Sequence, residues 1–196
     1  MNANRRTFVQ TAMAGALAAV LLLPTHGPAA ALSGPESYVQ NVANKIVATI
    51  NSGGSAGAFS GLVTRYADFR TIARFSLGKY RKNLPASRAN EYYRLTKSHI
   101  ARLLQANTKS FRGAKLQIVS SSAKSASNIV VRSKVIYSNG SSIPVNWRVV
   151  KRGGGYKIFD VTVKGVSMAI TLRTSFTSHI AKNQGKVASL ITHLKR

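Results

Sequence analysis

The chain of 196 residues carries 29 Lys and Arg against only four Asp and Glu, a formal charge of +25, and it has no cysteine. That length suffices for one domain with a real core, and the missing cysteines exclude disulfides, thiolate nucleophiles and cysteine metal sites. The apolar content of 44% is ordinary for a globular domain.

At the N-terminus, Arg5-Arg6 precede an apolar run from Ala12 to Leu23, and Ala29-Ala30-Ala31 supplies the small residues a signal peptidase needs. A run of twelve residues is too short to span a bilayer, so residues 1–31 are expected to be an export signal and 32–196 a single mature domain. Asn4-Arg5-Arg6-Thr7-Phe8-Val9-Gln10 is similar to a twin-arginine signal; an ordinary secretory signal stays open beside it. Removing the signal removes two bases and no acids, leaving 27 − 4 = +23. Such a surface attracts lipid headgroups, nucleic acid or anionic surface polymers. Each Lys or Arg close to an anionic membrane contributes about 1 kcal/mol.

Ser33-Gly34-Pro35-Glu36 reads as a helix start, with Ser33 as N-cap and Glu36 completing a capping box. Val39, Val42, Ala43, Ile46, Val47 and Ile50 follow helical spacing until Gly53-Gly54. A second helix is expected over Ala58 to Tyr66. Asp68 is placed to cap a third, which presents Phe69, Ile72, Ala73 and Leu77 before Gly78 stops it. Pro85 suits the first turn of a long helix reaching Lys109, with a stripe of Tyr92, Leu95, Ile100, Leu103 and Leu104 and with His99 at its edge.

From Leu116 the chain turns β-branched. Leu116–Ser120, Ile129–Tyr137, Ser142–Val150 and Tyr156–Val163 read as four strands, with the serine-rich Ser120–Ser127 as a hairpin loop. Gly153-Gly154-Gly155 supplies the positive-φ residues of a tight turn; without a following Gly-Lys-Ser/Thr and helix it is not a phosphate loop. Ser167 to Lys182 returns to helical spacing, Gly185 breaks it, and Val187, Leu190, Ile191 and Leu194 form a last amphipathic helix. The order predicts an α+β domain: N-terminal helices on a four-stranded antiparallel sheet, closed by C-terminal helices, with an apolar cavity between helices and sheet.

Catalytic chemistry finds little to work with. The acids Glu36, Asp68, Glu91 and Asp160 are scattered, so no carboxylate pair presents itself. His99, His179 and His193 share no metal-ligand spacing, and no Gly-x-Ser-x-Gly elbow is present. No catalytic residue, metal or cofactor is therefore assigned, and the chain reads as a binding protein rather than an enzyme. The aromatic and glycine signature of RNA-binding sheets is also missing.

Three motifs resemble one family. Asp68-Phe69-Arg70-Thr71-Ile72-Ala73 with Leu77-Gly78-Lys79-Tyr80 is the first. Ile143-Pro144-Val145, Gly155-Tyr156-Lys157-Ile158-Phe159-Asp160-Val161 and Gly165-Val166-Ser167 make the second, and Arg173-Thr174-Ser175-Phe176 the third. In order and spacing, over Pro35 to Gln184, they resemble MlaC-type (toluene-tolerance) proteins, including a hopanoid-associated HpnM-type branch. Lys164 and Asn146 depart from the pattern, standing where acids are expected. The resemblance implies a monomeric periplasmic carrier of phospholipid or hopanoid-like lipid. Such a carrier serves an inner-membrane ABC transporter complex and an outer-membrane lipoprotein complex that maintain outer-membrane lipid asymmetry. It touches membranes only transiently and binds no nucleic acid.

Physical chemistry sets what such a carrier needs. At about 0.8 kcal/mol per methylene, exposing roughly thirty methylenes of a two-chain lipid costs on the order of 20 kcal/mol. Apolar walls must cover most of that length. Alternation and the family match together nominate Leu77, Tyr80, Leu103, Val145, Trp147, Val149, Val161, Val166 and Met168 as the lipid-binding wall. A cationic binder of anionic surface polymers or nucleic acid is the alternative that charge alone supports.

Overall fold

Small polar residues write the helix starts in this chain, and the first of them behaves as expected. The computed structural model describes residues 32–125 and 127–196, so the expected export signal lies outside the described residues. Helix α1 (Gly34–Asn51) follows Ser33, whose N–H donates to Glu36 Oε2 at 2.9 Å to form the capping-box contact. Helix α2 (Ala56–Tyr66) starts two residues earlier than expected, because Ser55 caps it by accepting from the Ala58 N–H.

Helix α3 (Phe69–Ser76) corrects one expectation: Asp68 makes no capping hydrogen bond with its side chain. Its carboxylate instead accepts from Arg152 Nε at 2.9 Å, and its N–H donates to the Ile158 carbonyl. A charged donor is the stronger partner for a carboxylate, so the acid ties α3 to the sheet rather than to its own helix. Gly78 then takes φ 53° where a Cβ would stand 2.8 Å from the Thr177 methyl, so only glycine fits this close approach. The long helix expected from Pro85 is shorter: a 3-10 turn (Ala86–Arg88) leads into α4 (Ala89–Ala106), and a second 3-10 turn (Thr108–Phe111) follows.

The sheet is an antiparallel meander of five strands in sequence order, one more than expected. Strand β1 (Lys115–Ser125) runs well past its expected end at Ser120. Its serines carry weak strand propensity, yet the ladder with β2 (Asn128–Ile136) holds them as strand through a bulge at Val119. Strands β3 (Ser142–Arg152) and β4 (Gly155–Val163) are joined by Gly153 (φ 54°) and Gly154 (φ 78°), the two positive-φ residues of a tight hairpin. The unexpected strand β5 (Val166–Ser167) exists because Lys164 (φ 49°) and Gly165 (φ 83°) make another such turn and fold the chain back onto β4. Helices α5 (Met168–Lys182) and α6 (Val187–His193) close the chain, separated by the positive-φ pair Gln184 and Gly185. Among the described residues, no helix is long and apolar enough to cross a membrane.

Two main cores result. One is helical, built from α3 to α6 around Leu77, Tyr92, Phe176, Ile180 and Leu190. The other packs α1, through Val39, Val42 and Ala43, on Val131, Val145, Trp147, Val149 and Ile158 of the sheet. A small cluster of Ile50, Phe59 and Ala101 bridges α1, α2 and α4.

One polar network lies inside the sheet core. The Trp147 indole N–H donates to Ser133 Oγ at 3.0 Å, and Ser133 Oγ donates to the Val145 carbonyl at 2.7 Å. Ser133 is only 2% exposed, so water cannot replace it. Replacing Ser133 by Ala strands the indole N–H and is expected to cost about 1–3 kcal/mol of unfolding free energy. Urea denaturation measures it; a loss below about half a kcal/mol, the ordinary scatter of surface substitutions, removes the network from the stabilising interactions.

Candidate functional site

Directly opposed residues of an antiparallel pair share a face, so the strand register defines rows across the sheet. One row crosses every strand: Ile118, Ser133, Val145, Val163 and Val166. The next holds Ser121, Val131, Trp147 and Val161. Along the first row exposure climbs from 3% at Val145, through a half-buried Val163, to 54% at Val166. The apolar face under α1 thus emerges to solvent at β5.

Of the residues nominated for an apolar wall, Val145, Trp147, Val149, Val161 and Val166 come together on this one face. The other four do not join them. Leu77 is wholly buried in the helical core, with Tyr80 packed beside it. Leu103 is 48% exposed: Arg102 donates to the Leu194 carbonyl where α6 ends, so α4 outruns its partner just there. Met168, 43% exposed, begins α5 next to the end of the row. Alternation identifies a face within a sheet, whereas it cannot say which of two cores a helical leucine enters. Val39, Val42 and Ala43 of α1 pack on the buried part of this face.

Tyrosines stand at the β4 side of the same core. Tyr38 donates to the Tyr66 carbonyl at 2.9 Å, and its ring lies 5.8 Å from that of Tyr156. Burial, with a smaller contribution from Tyr66, pushes the Tyr38 phenol up to about 12, so it stays a neutral donor. On the opposite face, Arg148 stacks on Phe159, Phe159 meets Phe75 edge-on at 5.6 Å, and Arg173 stacks on Phe75.

Each acid of the described chain is occupied structurally. Glu36 serves α1, and hydrogen bonds from Ser121 and then Ser33 hold its carboxyl below the usual range. Asp68 pairs with Arg152. Glu91 pairs with Lys195 and Arg88, whose hydrogen bonds, Lys195 foremost, lower its carboxyl. Asp160 accepts from Ser167 Oγ and from the Ala169 N–H, capping α5. Among the described residues, no three of His, Cys, Asp and Glu are placed to hold a metal ion.

Residues 40–196 match the family model described as MlaC protein. The chain belongs to the MlaC family. A solved structure similar to this MlaC-family chain is the phospholipid-binding protein from Ralstonia solanacearum in complex with a phospholipid. It is 22% identical, covers 83% of this chain and 96% of its own, and superposes with a TM-score of 0.72, which shows a shared fold. A second solved chain, an Rd1NTF2 variant, is 13% identical over 48% of this chain and 94% of its own, and its TM-score of 0.30 carries no argument. No curated protein matches.

What spacing did not reveal is a grouping of histidines. His99 of α4, His179 of α5 and His193 of α6 line one cleft of about 300 Å³. A smaller concavity of about 130 Å³ lies at Ile50, Gly54, Lys109 and Arg112. Helix α4 lies far in sequence from the consecutive helices α5 and α6, so no local pattern announces the cleft they share. Burial foremost, then Arg102 and His193, pushes the His99 imidazole below its ordinary 6.5. The folded state thus prefers neutral His99. Its contribution to stability is complete above about pH 6.5 and declines as acid drives the ring toward protonation. In buffer without oxoanions, the thermal midpoint is expected to fall more steeply below pH 6.5 in the wild type than in His99→Gln. Equal slopes would show that His99 does not govern this part of the pH profile.

Proposed function

We propose that this MlaC-family chain is an exported lipid carrier. It holds the acyl chains of a phospholipid or hopanoid-like lipid against the inner sheet face and exchanges them at β5. The observation that carries the reading is the apolar row whose exposure rises from Val145 to Val166. A carrier must hide methylenes yet release them, and a buried face that surfaces at one edge suits both demands. The fold shared with a phospholipid-binding protein supports the ligand class.

Loading requires movement, because α1 packs on the buried part of the face. The two main cores share no buried residue, so the boundary along β4 is where they separate at least cost. Half-buried Tyr66, Tyr156, Val161 and Val163 lie on the sheet side of that boundary and Phe69 on the helical side. Acyl chains entering there replace one set of apolar contacts by another. The family setting makes the partners an inner-membrane ABC transporter complex and an outer-membrane lipoprotein complex, the compartment the periplasm and the working form a monomer. No bond is made or broken in this function.

A matched pair of exposed valines tests it. Val166→Glu places a charge at the mouth of the row, whereas Val119→Glu places the same charge at the β1 bulge, where exposure is 57%. Native mass spectrometry of the purified chain is expected to show bound lipid. Val166→Glu should reduce its occupancy about five-fold or more, since desolvating a carboxylate beside acyl chains costs several kcal/mol, and Val119→Glu should leave it unchanged. A chain that neither copurifies with lipid nor accepts it from vesicles overturns the reading. If it instead binds anionic polymers with steep salt dependence, the cationic-binder alternative takes its place.

A further inference from the structure

We propose that the cleft between α4, α5 and α6 is an oxoanion site that accepts a phosphate group. The cleft stands apart from the sheet face and its role does not depend on lipid being carried there. Its polar lining comes from three helices: His99 from α4, Ser175, Ser178, His179 and Lys182 from α5, and His193 from α6. The His179 and His193 rings stack with centroids 4.5 Å apart, and His99 packs on Phe176 at 5.8 Å. Among the described residues, His179 Nε2 is shielded from solvent and has no hydrogen-bond partner. A buried ring nitrogen without a partner costs stability unless a guest supplies one.

The sign of the guest follows from the charges that face the cleft. Lys182 of α5 lines the cleft as a cation, Arg102 of α4 lies near enough to His99 to push its imidazole down, and no carboxylate lines the cavity. Glu91 of α4 is already shared between Arg88 and Lys195. A cation is repelled from such a place, in keeping with the absence of a metal-holding group among the described residues. An anion gains from every one of these groups, and the serine hydroxyls add neutral donors. A volume of about 300 Å³ holds a tetrahedral oxoanion with some water and leaves no room for a pair of acyl chains.

The ordinary role of His179, Lys182 and His193 is to complement the C-terminal dipoles of α5 and α6, whose last turns they occupy. That role needs neither a third imidazole from α4 nor a shielded, unpaired nitrogen. The convergence of three imidazoles with Lys182 on one cleft is accounted for by an anion that accepts from their accessible N–H groups. Bound phosphate favours the protonated form of His99, against the burial that holds its imidazole below the ordinary range in the empty cleft, so affinity rises as pH falls.

The test is an NMR titration of the full chain, reading imidazole C–H signals assigned by single His→Gln substitutions. Inorganic phosphate is added first, with sulfate as an oxoanion whose charge does not change over the range. Saturable shifts shared by His99, His179 and His193 are expected, with affinity about five-fold higher near pH 6 than near pH 7.5. Lys182→Gln, at an exposed position, should fold normally and weaken binding by about five-fold. Phosphatidylcholine vesicles with and without phosphatidic acid separate the two sources of the group. Binding of the free ion assigns a soluble phosphate, and response only to phosphatidic acid assigns a lipid headgroup; either supports the site. Silence of all three rings toward ion and vesicle, or shifts that Lys182→Gln leaves unchanged, overturns it. Loss of this binding with lipid occupancy intact would leave the carrier function standing.

Discussion

The Asp160 carboxylate sets where the helical half of the molecule meets the sheet. It projects from β4 and accepts from Ser167 Oγ and from the Ala169 N–H, while Ser167 itself caps α5 by accepting from the Ile170 N–H. Since α5 supplies Leu172, Phe176 and Ile180 to the helical core, this carboxylate with its Ser167 partner ties that core to the sheet. The other acids act at comparable junctions. Glu36 starts α1, Asp68 ties α3 to the end of β3, and Glu91 ties α4 to Lys195, just after α6. With 27 basic residues after Ala31 and only these four acids, each carboxylate is placed where it organises structure. The remaining positive charge is left to act at long range on anionic surfaces.

A chain organised this way has two main cores with a boundary at β4, and that boundary suits a carrier. A single continuous core would release bound acyl chains only by unfolding, whereas two cores can part along a surface that is already half-buried and apolar. The hydrogen bonds of the Trp147–Ser133–Val145 network lie within β2 and β3 and cross no boundary, so the proposed parting of the cores would leave them intact. The β5 turn, with Lys164 and Gly165 in left-handed conformations, presents Val166 at the point where the apolar face meets water. The histidine cleft lies wholly among α4, α5 and α6, so an anion held there leaves the sheet face free.

How much of this is legible in the sequence varies by element. Alternation from Ile143 to Val149 and the turn glycines Gly153-Gly154 specify β3, the hairpin and the existence of β4, because side-chain period and positive φ are local properties. The bulge at Phe159, which brings Ile158 onto the face of Val161, is not legible. Ser33 with Glu36 specifies the start of α1 for the same reason. The motifs that resemble the MlaC family include the turn glycines and Asp160, residues whose geometry leaves few substitutes. The extension of β1 is not legible, since serines Ser120 to Ser125 become strand only through pairing with β2. Nor is β5, a strand of two residues that exists only as a partner of β4.

The candidate site divides along the same line. Sequence by itself determined that Val145, Trp147 and Val149 share an apolar face, since strand alternation is set by nearby residues. Val161 joins them only through a bulge at Phe159 that shifts the pairing of β3 with β4. Tertiary structure alone decided that Leu77 and Tyr80 enter a different core, that Leu103 is left exposed where α6 ends, and that Val166 brings the face to the surface. It alone brought His99, His179 and His193 into one cleft. Which helix faces meet depends on long-range packing, and His99, 80 residues before His179, shares no spacing with it that a pattern can record.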